Sequence, residues 1–209
     1  MTQPIANCPN CGAKIVFRWS GSVQTVCEFC KSVLIRTDIN LQRVGKVADL
    51  PPNSSPIQVG TEGVFGNRSF SVLGRIIYEY EQGNWNEWHF VTIDGTSGWL
   101  SDAQLNYAVT FPAQVGILPR ECKVGQQYVW DGETYVVSTI TKAHYCGVEG
   151  ELPFKYWDKS DVVFIDLMSR SQKFATFDYS EDPPLLFLGE FVDFDDLKLK
   201  NLRTFEGWS

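Results

Sequence analysis

Apolar and polar side chains alternate with a period of two residues in short runs along most of the chain, the pattern of half-buried β-strands. Near the N-terminus such runs cover residues 15–19, 22–26 and 33–35, and Ser20-Gly21 between the first two predicts a hairpin turn. Stretches with helical periodicity are few, and the glycine and aromatic content also suits strands joined by tight turns. The sequence therefore predicts a mainly β protein.

The strand pattern repeats within the chain. Val59-Gly60, Val64-Phe65, Phe70 and Val72 recur without a gap as Val124-Gly125, Val129-Trp130, Tyr135 and Val137, at a constant offset of 65 residues. A turn dipeptide, Gly66-Asn67 or Asp131-Gly132, separates two strands in each copy. Further strands are expected at 88–93 with 98–100 and at 161–166 with 174–177, and residues 186–192 are expected to close the second copy. The sequence leaves open whether the copies are separate or merged.

These patterns define the expected fold class and domain boundaries. We predict a mainly β chain with an N-terminal zinc ribbon at residues 1–38 and a linker at 39–56, whose end is rich in proline and serine. Two pseudo-repeated small β-barrel or sandwich-like units are predicted to follow, at residues 57–118 and 119–209.

Four cysteines near the N-terminus occur as two pairs, Cys8-x2-Cys11 and Cys27-x2-Cys30, with fifteen residues between the pairs. This spacing is typical of a structural zinc ribbon, in which one tetrahedral Zn²⁺ has four sulfur ligands and no open position. A disulfide pair or a redox-active CxxC is the weaker interpretation, because redox motifs lie in βαβ contexts and this segment has no helical pattern. Iron also occupies four-thiolate sites, so the metal's identity stays open.

The net charge of −7 is unevenly distributed along the chain. Residues 1–48 carry six basic and two acidic side chains, a net +4, which leaves −11 for the remainder. The acidic remainder of the chain disfavours a broad interface with nucleic acid but allows a small contact by the ribbon. No apolar run approaches the roughly 18–20 residues of a membrane span, and the N-terminus lacks a signal-peptide pattern. We therefore expect a soluble, cytoplasmic protein, with any membrane association made through a partner.

Several motifs together resemble a bacterial family. They are the CPxCG and CxxC pairs of the ribbon, GNRSFSVLGRI at 66–76, NEW at 86–88, GWLS at 98–101, GELP at 150–153 and FDYS at 177–180. The chain is similar over nearly its whole length to the family whose body is the domain of unknown function 4178. Similar proteins are often encoded beside polyamine-synthesis-like enzymes, small membrane proteins and membrane-stress or ion-channel-like proteins. The resemblance therefore implies an accessory role in such a system.

Two groups of residues are candidates for binding a macromolecule. Trp85, Glu87, Trp88 and Trp99 combine rigid aromatic rings with a polar group, which suits a protein-binding surface. The alternative is that tryptophans fill the β core, which we favour for Trp88 and Trp99, whereas the polar run before Trp85 favours its exposure. The residues that would contact nucleic acid on the ribbon are Lys14, Phe17, Arg18 and Trp19.

Motifs for catalysis are missing from the sequence, which has no phosphate-binding glycine loop, nucleotide fingerprint or nucleophile elbow. The only histidines are His89 and His144, and Cys122 and Cys146 lie outside the ribbon. Because no third group at a convincing spacing would orient a Cys–His pair, a buried cysteine and a surface histidine is the favoured interpretation. Enzymes also assemble sites from dispersed residues, so the absence of these motifs makes catalysis a weaker hypothesis but does not exclude it.

The leading hypothesis for function is a non-catalytic zinc-ribbon adaptor or scaffold that binds protein partners. One alternative is a zinc-ribbon protein that binds nucleic acid. The other is an enzyme or binder acting on a small cationic ligand such as a polyamine, which the charge of the body and the implied gene neighbourhood both suggest.

Overall fold

The structure is a computed structural model that describes residues 5–37, 40–47, 55–114, 122–155 and 161–204. This part of the chain is built from β-strands and one short 3-10 helix, Phe194–Leu197, without an α-helix, which confirms the mainly β fold class. The strands are β1 Ile5–Asn7, β2 Lys14–Val16, β3 Gln24–Val26, β4 Ser32–Arg36, β5 Leu41–Lys46, β6 Glu62–Phe65, β7 Arg68–Tyr80, β8 Gly83–Thr92, β9 Ser97–Ala103, β10 Asn106–Ala113, β11 Gln127–Trp130, β12 Glu133–Leu152, β13 Asp161–Ser169, β14 Lys173–Asp178 and β15 Leu185–Val192.

Eight of these strands form one closed ring. Strands β7 to β10 pair in sequence as an antiparallel meander, and strands β12 to β15 form a second one. The two meanders are joined on both sides, because β10 pairs with β15 and β7 pairs with β12, again antiparallel. Every strand of the ring therefore has two hydrogen-bonded neighbours within it, and backbone encloses the interior of the ring.

Glycines mark the two seams at which the meanders meet. Gly74 of β7 and Gly150 of β12 are register partners, and a Cβ on either would overlap with a backbone carbonyl oxygen of the other strand. On the second seam, a Cβ on Gly189 of β15 would overlap with the carbonyl oxygen of Val109 on β10. The strands approach so closely here that only a residue without a side chain fits.

The predicted repeat is present in the hairpins that precede the two meanders. Hairpin β6–β7 pairs Glu62 with Ser71, and hairpin β11–β12 pairs Gln127 with Val136, 65 residues further on in each strand. Each hairpin then leads into four strands in the same order. The two halves do not close into separate barrel or sandwich units, however, because their strands join in a single ring.

Alternate residues of the ring strands face opposite sides of the sheet. On β8, Trp88 and Phe90 point outward into a core that also contains Leu197 of the 3-10 helix. Glu87 and Trp85 of the same strand point into the ring. The outer face of the second meander packs in the same manner against β11, with Tyr135 as one of its core residues. The ring is thus covered on the outside of both halves and keeps its own interior.

The N-terminal segment, which we call the ribbon, pairs differently from the prediction. Strand β2 pairs with β1, while β3 pairs with β4 and with β12 of the ring, so residues 15–19 and 22–26 do not form a hairpin with each other. Strand β5 lies inside the predicted linker and pairs with β4, which makes residues 41–46 part of the ribbon sheet. Residues 38–39 and 48–54 of that linker lie outside the described residues.

Glu151, near the end of β12, holds the ribbon against the ring. Its carboxylate accepts hydrogen bonds from the backbone N–H groups of Arg18 (2.8 Å) and Trp19 (3.4 Å) and from the hydroxyl of Ser22. The turn at Ser20-Gly21 still closes, since the N–H of Ser22 donates to the carbonyl oxygen of Trp19 at 3.2 Å, but the run that follows it pairs with β4 and β12 and not with β2. The indole ring of Trp19 also lies 5.4 Å from the imidazole of His89, centroid to centroid. The ribbon is therefore packed on the ring.

Candidate metal centre and interior cavity

The four ribbon cysteines converge on one point. The Sγ atoms of Cys8 and Cys30 lie 3.7 Å apart, as do those of Cys11 and Cys27, and all four sulfurs lie within 4.8 Å of one another. A tetrahedron of sulfurs at about 2.3 Å from a central metal has edges of about 3.8 Å. The arrangement is compatible with a metal site, and within the described residues no other group of three or more ligating side chains is gathered this closely.

Two equivalent turns bring these sulfurs together. The N–H of Gly12 donates to the carbonyl oxygen of Cys8 at 2.8 Å, and the N–H of Lys31 donates to that of Cys27 at 2.9 Å. Both donors have a positive φ, 76° at Gly12 and 57° at Lys31, which glycine adopts freely and a residue with a Cβ adopts at a cost of about 1 kcal/mol. Each CxxC pair is thus a turn whose shape follows from local sequence.

The environment acts in opposite directions on two of the four thiols. Hydrogen bonds with Ser32, whose hydroxyl lies 3.2 Å from Cys30 Sγ, and with the side chain of Asn10 lower the pKa of that thiol to about 5. The N–H of Ala13 acts to lower the pKa of Cys11, yet desolvation and the three neighbouring sulfurs together raise it to about 12. A bound divalent cation would remove this conflict, because thiolate ligands lose their protons to a metal.

The ribbon residues predicted to contact nucleic acid do not form one surface. Phe17 is 2% exposed and packs in the ribbon core with Leu34, while Lys14 and Arg18 on the opposite face are exposed. Trp19 is half-buried against His89. A buried Phe17 has no free ring face on which a base could stack. Only the cations of Lys14 and Arg18 and part of the Trp19 ring therefore remain available for contact with nucleic acid.

The residues predicted to bind a protein partner also lie inside the molecule. Trp88 and Trp99 are 0% and 5% exposed, as expected of core residues. Trp85 stacks on Tyr78 with ring centroids 5.0 Å apart and lines a cavity in the ring together with Glu87. Trp85 is half-buried and not fully exposed, because strand alternation places it on the same inward face as Glu87.

The cavity occupies one end of the ring interior and has a volume of about 270 Å³. Side chains from all eight ring strands line it: Tyr80, Gln82, Trp85, Glu87, Ser101, Ala103, Asn106, Ala108, Thr139, Thr141, Phe164, Asp166, Phe174, Thr176 and Phe191. Gln82 and Asn106 are exposed, so the cavity reaches the surface at the end that carries the β7–β8 and β9–β10 turns. Its size is near the lower limit of small-ligand pockets.

Glu87 is the first of two carboxylates in the cavity wall. The hydroxyl of Ser101 donates to its two oxygens at 2.9 and 2.8 Å, and the indole Nε1–H of Trp85 donates to Oε1 at 3.0 Å. Burial raises the pKa of Glu87 to about 8, against the smaller lowering effect of these hydrogen bonds. The negative charges of Asp166 and Asp178 raise it further.

Asp166 is the second carboxylate, on the opposite half of the ring. The hydroxyl of Thr139 donates to Oδ2 at 3.0 Å, and the hydroxyl of Thr176 also bonds to the carboxylate. Burial raises the pKa of Asp166 above its usual range. In the described part of the chain no lysine, arginine or histidine pairs with Glu87 or Asp166. Among the residues that the structure describes, the cavity therefore has two carboxyl groups and neutral donors but no counter-ion.

Aromatic rings form much of the remaining wall. Phe164 meets Trp85 edge to face at 5.4 Å, and Phe174 lies 4.9 Å from Phe191. The faces of such rings attract cations, most strongly where water is excluded. The cavity thus combines two carboxyl groups, which a cation would help to ionise, with a wall that also favours a positive ligand.

The remaining histidines and cysteines do not form a reactive pair. His89 is buried, with Nδ1 at 2.9 Å from the carbonyl oxygen of Glu151 and Nε2 at 3.0 Å from the Ser97 hydroxyl, and burial lowers its pKa to about 4. His144 is exposed, as expected, and pairs with Asp161. Cys122 and Cys146 are half-buried, not buried as expected.

Asp166 is the site residue that sequence reasoning missed. The signal that pointed to it was weak: it is an acidic residue at the end of an apolar run predicted as a strand. Glu87 and Asp166 are not separated by the 65-residue offset of the repeat. The first strand of the second half, β12, has 20 residues, whereas its counterpart β7 has 13. Only the order of strands in the two halves identifies the two residues as counterparts.

Fold and site together define the class of this protein: a closed antiparallel sheet with an acidic interior cavity, joined to a small four-cysteine domain. Residues 58–194 match the family model described as Domain of unknown function (DUF4178). The chain therefore belongs to that family, and every residue of the cavity wall lies in the matched part. Neither the curated proteins nor the solved structures contain a match to this chain. Among the described residues, no helix has the length and apolar character needed to span a membrane.

Proposed function

We propose that the protein binds a small organic cation, an amine, in the cavity of the ring. The observation that carries this proposal is the presence of Glu87 and Asp166 in one cavity without a basic partner in the described residues. A buried carboxylate is strongly disfavoured unless a positive group accompanies it. A protonated amine supplies that group and three N–H donors, so it would stabilise the ionised form of both side chains.

The wall favours an organic cation over a bare metal ion. Trp85, Phe164 and Phe174 present ring surface to the cavity, which suits the alkyl part of an amine and adds cation–π attraction. The cavity carboxylates are not part of any described group of three close metal-ligating side chains. A hard divalent cation takes six or more oxygen ligands, whereas the two carboxylates here lie on strands of different halves of the ring.

Calorimetric titration with a panel of primary amines tests this proposal. The expected result is saturable binding of at least one amine, accompanied by a change in tryptophan fluorescence because Trp85 lies in the wall. Glu87→Gln and Asp166→Asn should each weaken binding by about tenfold or more, since a hydrogen bond to a charged group contributes about 1.5–3 kcal/mol. Glu62→Gln, which removes an exposed carboxylate outside the cavity, is the matched control and should leave binding unchanged. Absence of binding to every amine would refute the proposal.

We also propose that Cys8, Cys11, Cys27 and Cys30 bind one zinc ion with a structural role. The support is the closeness of four sulfurs and the completeness of the set, because four thiolates fill a tetrahedral shell and leave no position for a substrate. Elemental analysis of the purified protein distinguishes zinc from iron, which also occupies such sites.

The adaptor hypothesis stays a prediction, as do the nucleic-acid alternative and the cytoplasmic location. The candidate surface for a protein partner does not lie free on the outside, because its four residues are core or cavity residues: Trp85, Glu87, Trp88 and Trp99. A protein partner would therefore have to bind through other residues. For this reason we prefer the cationic-ligand alternative.

A further inference from the structure

The two carboxylates occupy counterpart positions in the two halves of the ring. Glu87 lies on the second strand of the first meander, and Asp166 lies on the second strand of the second meander. The register partner of Glu87 on the next strand is Ser101, and that of Asp166 is Thr176. In both cases the partner's hydroxyl bonds to the carboxylate. Each half of the chain therefore contributes one carboxylate–hydroxyl pair to the cavity.

The two pairs belong to different parts of the cavity wall. On the shorter way around the ring, β8 and β13 are three pairing steps apart, through β7 and β12. Neighbouring strands are separated by about 4.8 Å, so the two side chains approach the cavity from distant wall positions. Each carboxylate has its own donors, and none of the hydrogen bonds described above is shared between them.

Charge balance then restricts the ligand. One monovalent cation would stabilise the ionised form of one carboxylate only, and the second group, whose pKa is also raised, would stay protonated and add no ionic contact. Two positive groups joined by a short apolar chain would neutralise both. The aromatic rings of Phe164 and Phe174 in the wall suit such a chain.

We propose that the ligand of the cavity is a linear dication, a short diamine with one ammonium group on Glu87 and the other on Asp166. This inference rests on the proposed function, since it names the ligand class of the same cavity. The hydroxyls of Ser101 and Thr176 hold the two carboxylates in place, and the two ends of the ligand are bound by different halves of the ring.

The test compares diamines with monoamines of the same chain length by calorimetry. Wild-type protein is titrated with diaminopropane, putrescine, cadaverine and hexanediamine, and with propylamine, butylamine, pentylamine and hexylamine. Diamines should bind at least about tenfold more tightly than their monoamine counterparts, because the second ammonium–carboxylate contact is worth about that factor or more. Affinity should also pass through a maximum at one diamine length, since the wall fixes the distance between the carboxylates.

Substitutions then test which contact each ammonium group makes. In Glu87→Gln and in Asp166→Asn the preference for diamines should fall to about one, whereas Glu62→Gln should retain it. Circular dichroism and thermal unfolding verify that each variant is folded, and the length series on wild-type protein gives an answer that needs no variant. Equal affinity for diamines and monoamines, or a diamine preference that survives both substitutions, would overturn the dication while leaving an amine site. Failure of every amine to bind would overturn the proposed function itself.

Discussion

The metal centre and the cavity bring their charged groups together in opposite ways. The four cysteines lie within residues 8–30, and two local turns place them, so the site is almost a property of the ribbon alone. Glu87 and Asp166 lie on different meanders and share a cavity only because β7 pairs with β12 and β10 with β15. The first site depends on short spacing in the sequence, and the second depends on closure of the whole sheet. Damage to one should therefore leave much of the other intact.

The largest expected effect is loss of the metal. In Cys27→Ser the site keeps three thiolates, and structural zinc contributes about 10–16 kcal/mol of apparent binding free energy in small metal-dependent domains. We expect metal loss and rapid hydrogen exchange of backbone amides in β1 to β5. The ring should stay protected and should still bind the amine, because Glu87 and Asp166 do not contact the ribbon cysteines.

The matched control for this substitution is Cys122→Ser, which removes a half-buried thiol outside the metal cluster. It should retain both the metal and the exchange protection of the ribbon. Hydrogen exchange followed by mass spectrometry resolves the two regions. Simultaneous loss of protection in the ring and the ribbon of Cys27→Ser would contradict their independence.

A substitution at a seam tests how much the closure of the ring contributes to stability and binding. In Gly74→Ala the new Cβ meets a backbone carbonyl of β12, which must shift, and overpacking of this kind costs about 1–3 kcal/mol or more. Chemical denaturation should show this loss, and amine binding should weaken because the two halves of the cavity move apart, while metal content stays the same. Gly45→Ala is the matched control, because a Cβ at Gly45 in β5 has no atom within 4 Å. Equal stability of the two variants would show that the seam tolerates the methyl group.

The pH dependence of binding separates the cavity from the metal centre. Because the pKa of Glu87 is raised from 4.5 to about 8, the folded protein holds this proton more tightly than the unfolded chain does. Its contribution to stability therefore falls as pH rises from about 4.5 to 8, while amine affinity rises over the same range and levels off above it. The slope below pH 8 should approach tenfold per pH unit for this group.

Calorimetry between pH 6 and 9 measures this slope, since an alkylamine stays protonated over that range. In Glu87→Gln the pH dependence of amine affinity that Glu87 causes should disappear, and only the pH dependence caused by Asp166 should remain. Burial is the main cause of the raised pKa of Glu87, hydrogen bonds from Ser101 and Trp85 lower it, and the charges of Asp166 and Asp178 raise it further. An affinity that is independent of pH would mean that Glu87 does not pair with the ligand.

The sequence predicted those parts of the molecule that depend on neighbouring residues. The CxxC turns and the hairpins with Gly66-Asn67 and Asp131-Gly132 are local patterns, and the structure contains each of them. The 65-residue offset was visible because the second hairpin repeats the local pattern of the first. Burial of Trp88 and Trp99 followed from strand alternation in the same way. Local turn chemistry and a two-residue period determine these features before any distant contact forms.

The parts that could not be predicted depend on which strands meet. Nothing in the residues of β7 and β12 states that they pair, so the merger of the two halves into one ring was left open. For the same reason the sequence did not show which face of β8 lies inside the ring, and Trp85, which lines the cavity, was expected on the surface. The hairpin expected at residues 15–26 is absent for a similar reason, because its second run pairs with β4 and with β12, and β12 lies more than a hundred positions away.

The smallest expected effect concerns the contact between the two regions. In Glu151→Gln the side chain keeps its shape and can still accept one or two hydrogen bonds, but it loses the negative charge that Arg18, Trp19 and Ser22 donate to. We expect a loss of about 1 kcal/mol, confined to the ribbon, because strand pairing between Glu151 and Thr25 is made by the backbone and survives. Hydrogen exchange at residues 18–26 should increase severalfold, with no change at the cavity, whereas Glu28→Gln on the exposed side of the ribbon should change neither. If the exchange of ring strands also rose in Glu151→Gln, the ribbon would be stabilising the ring, and the metal centre and the cavity would be parts of one cooperative unit.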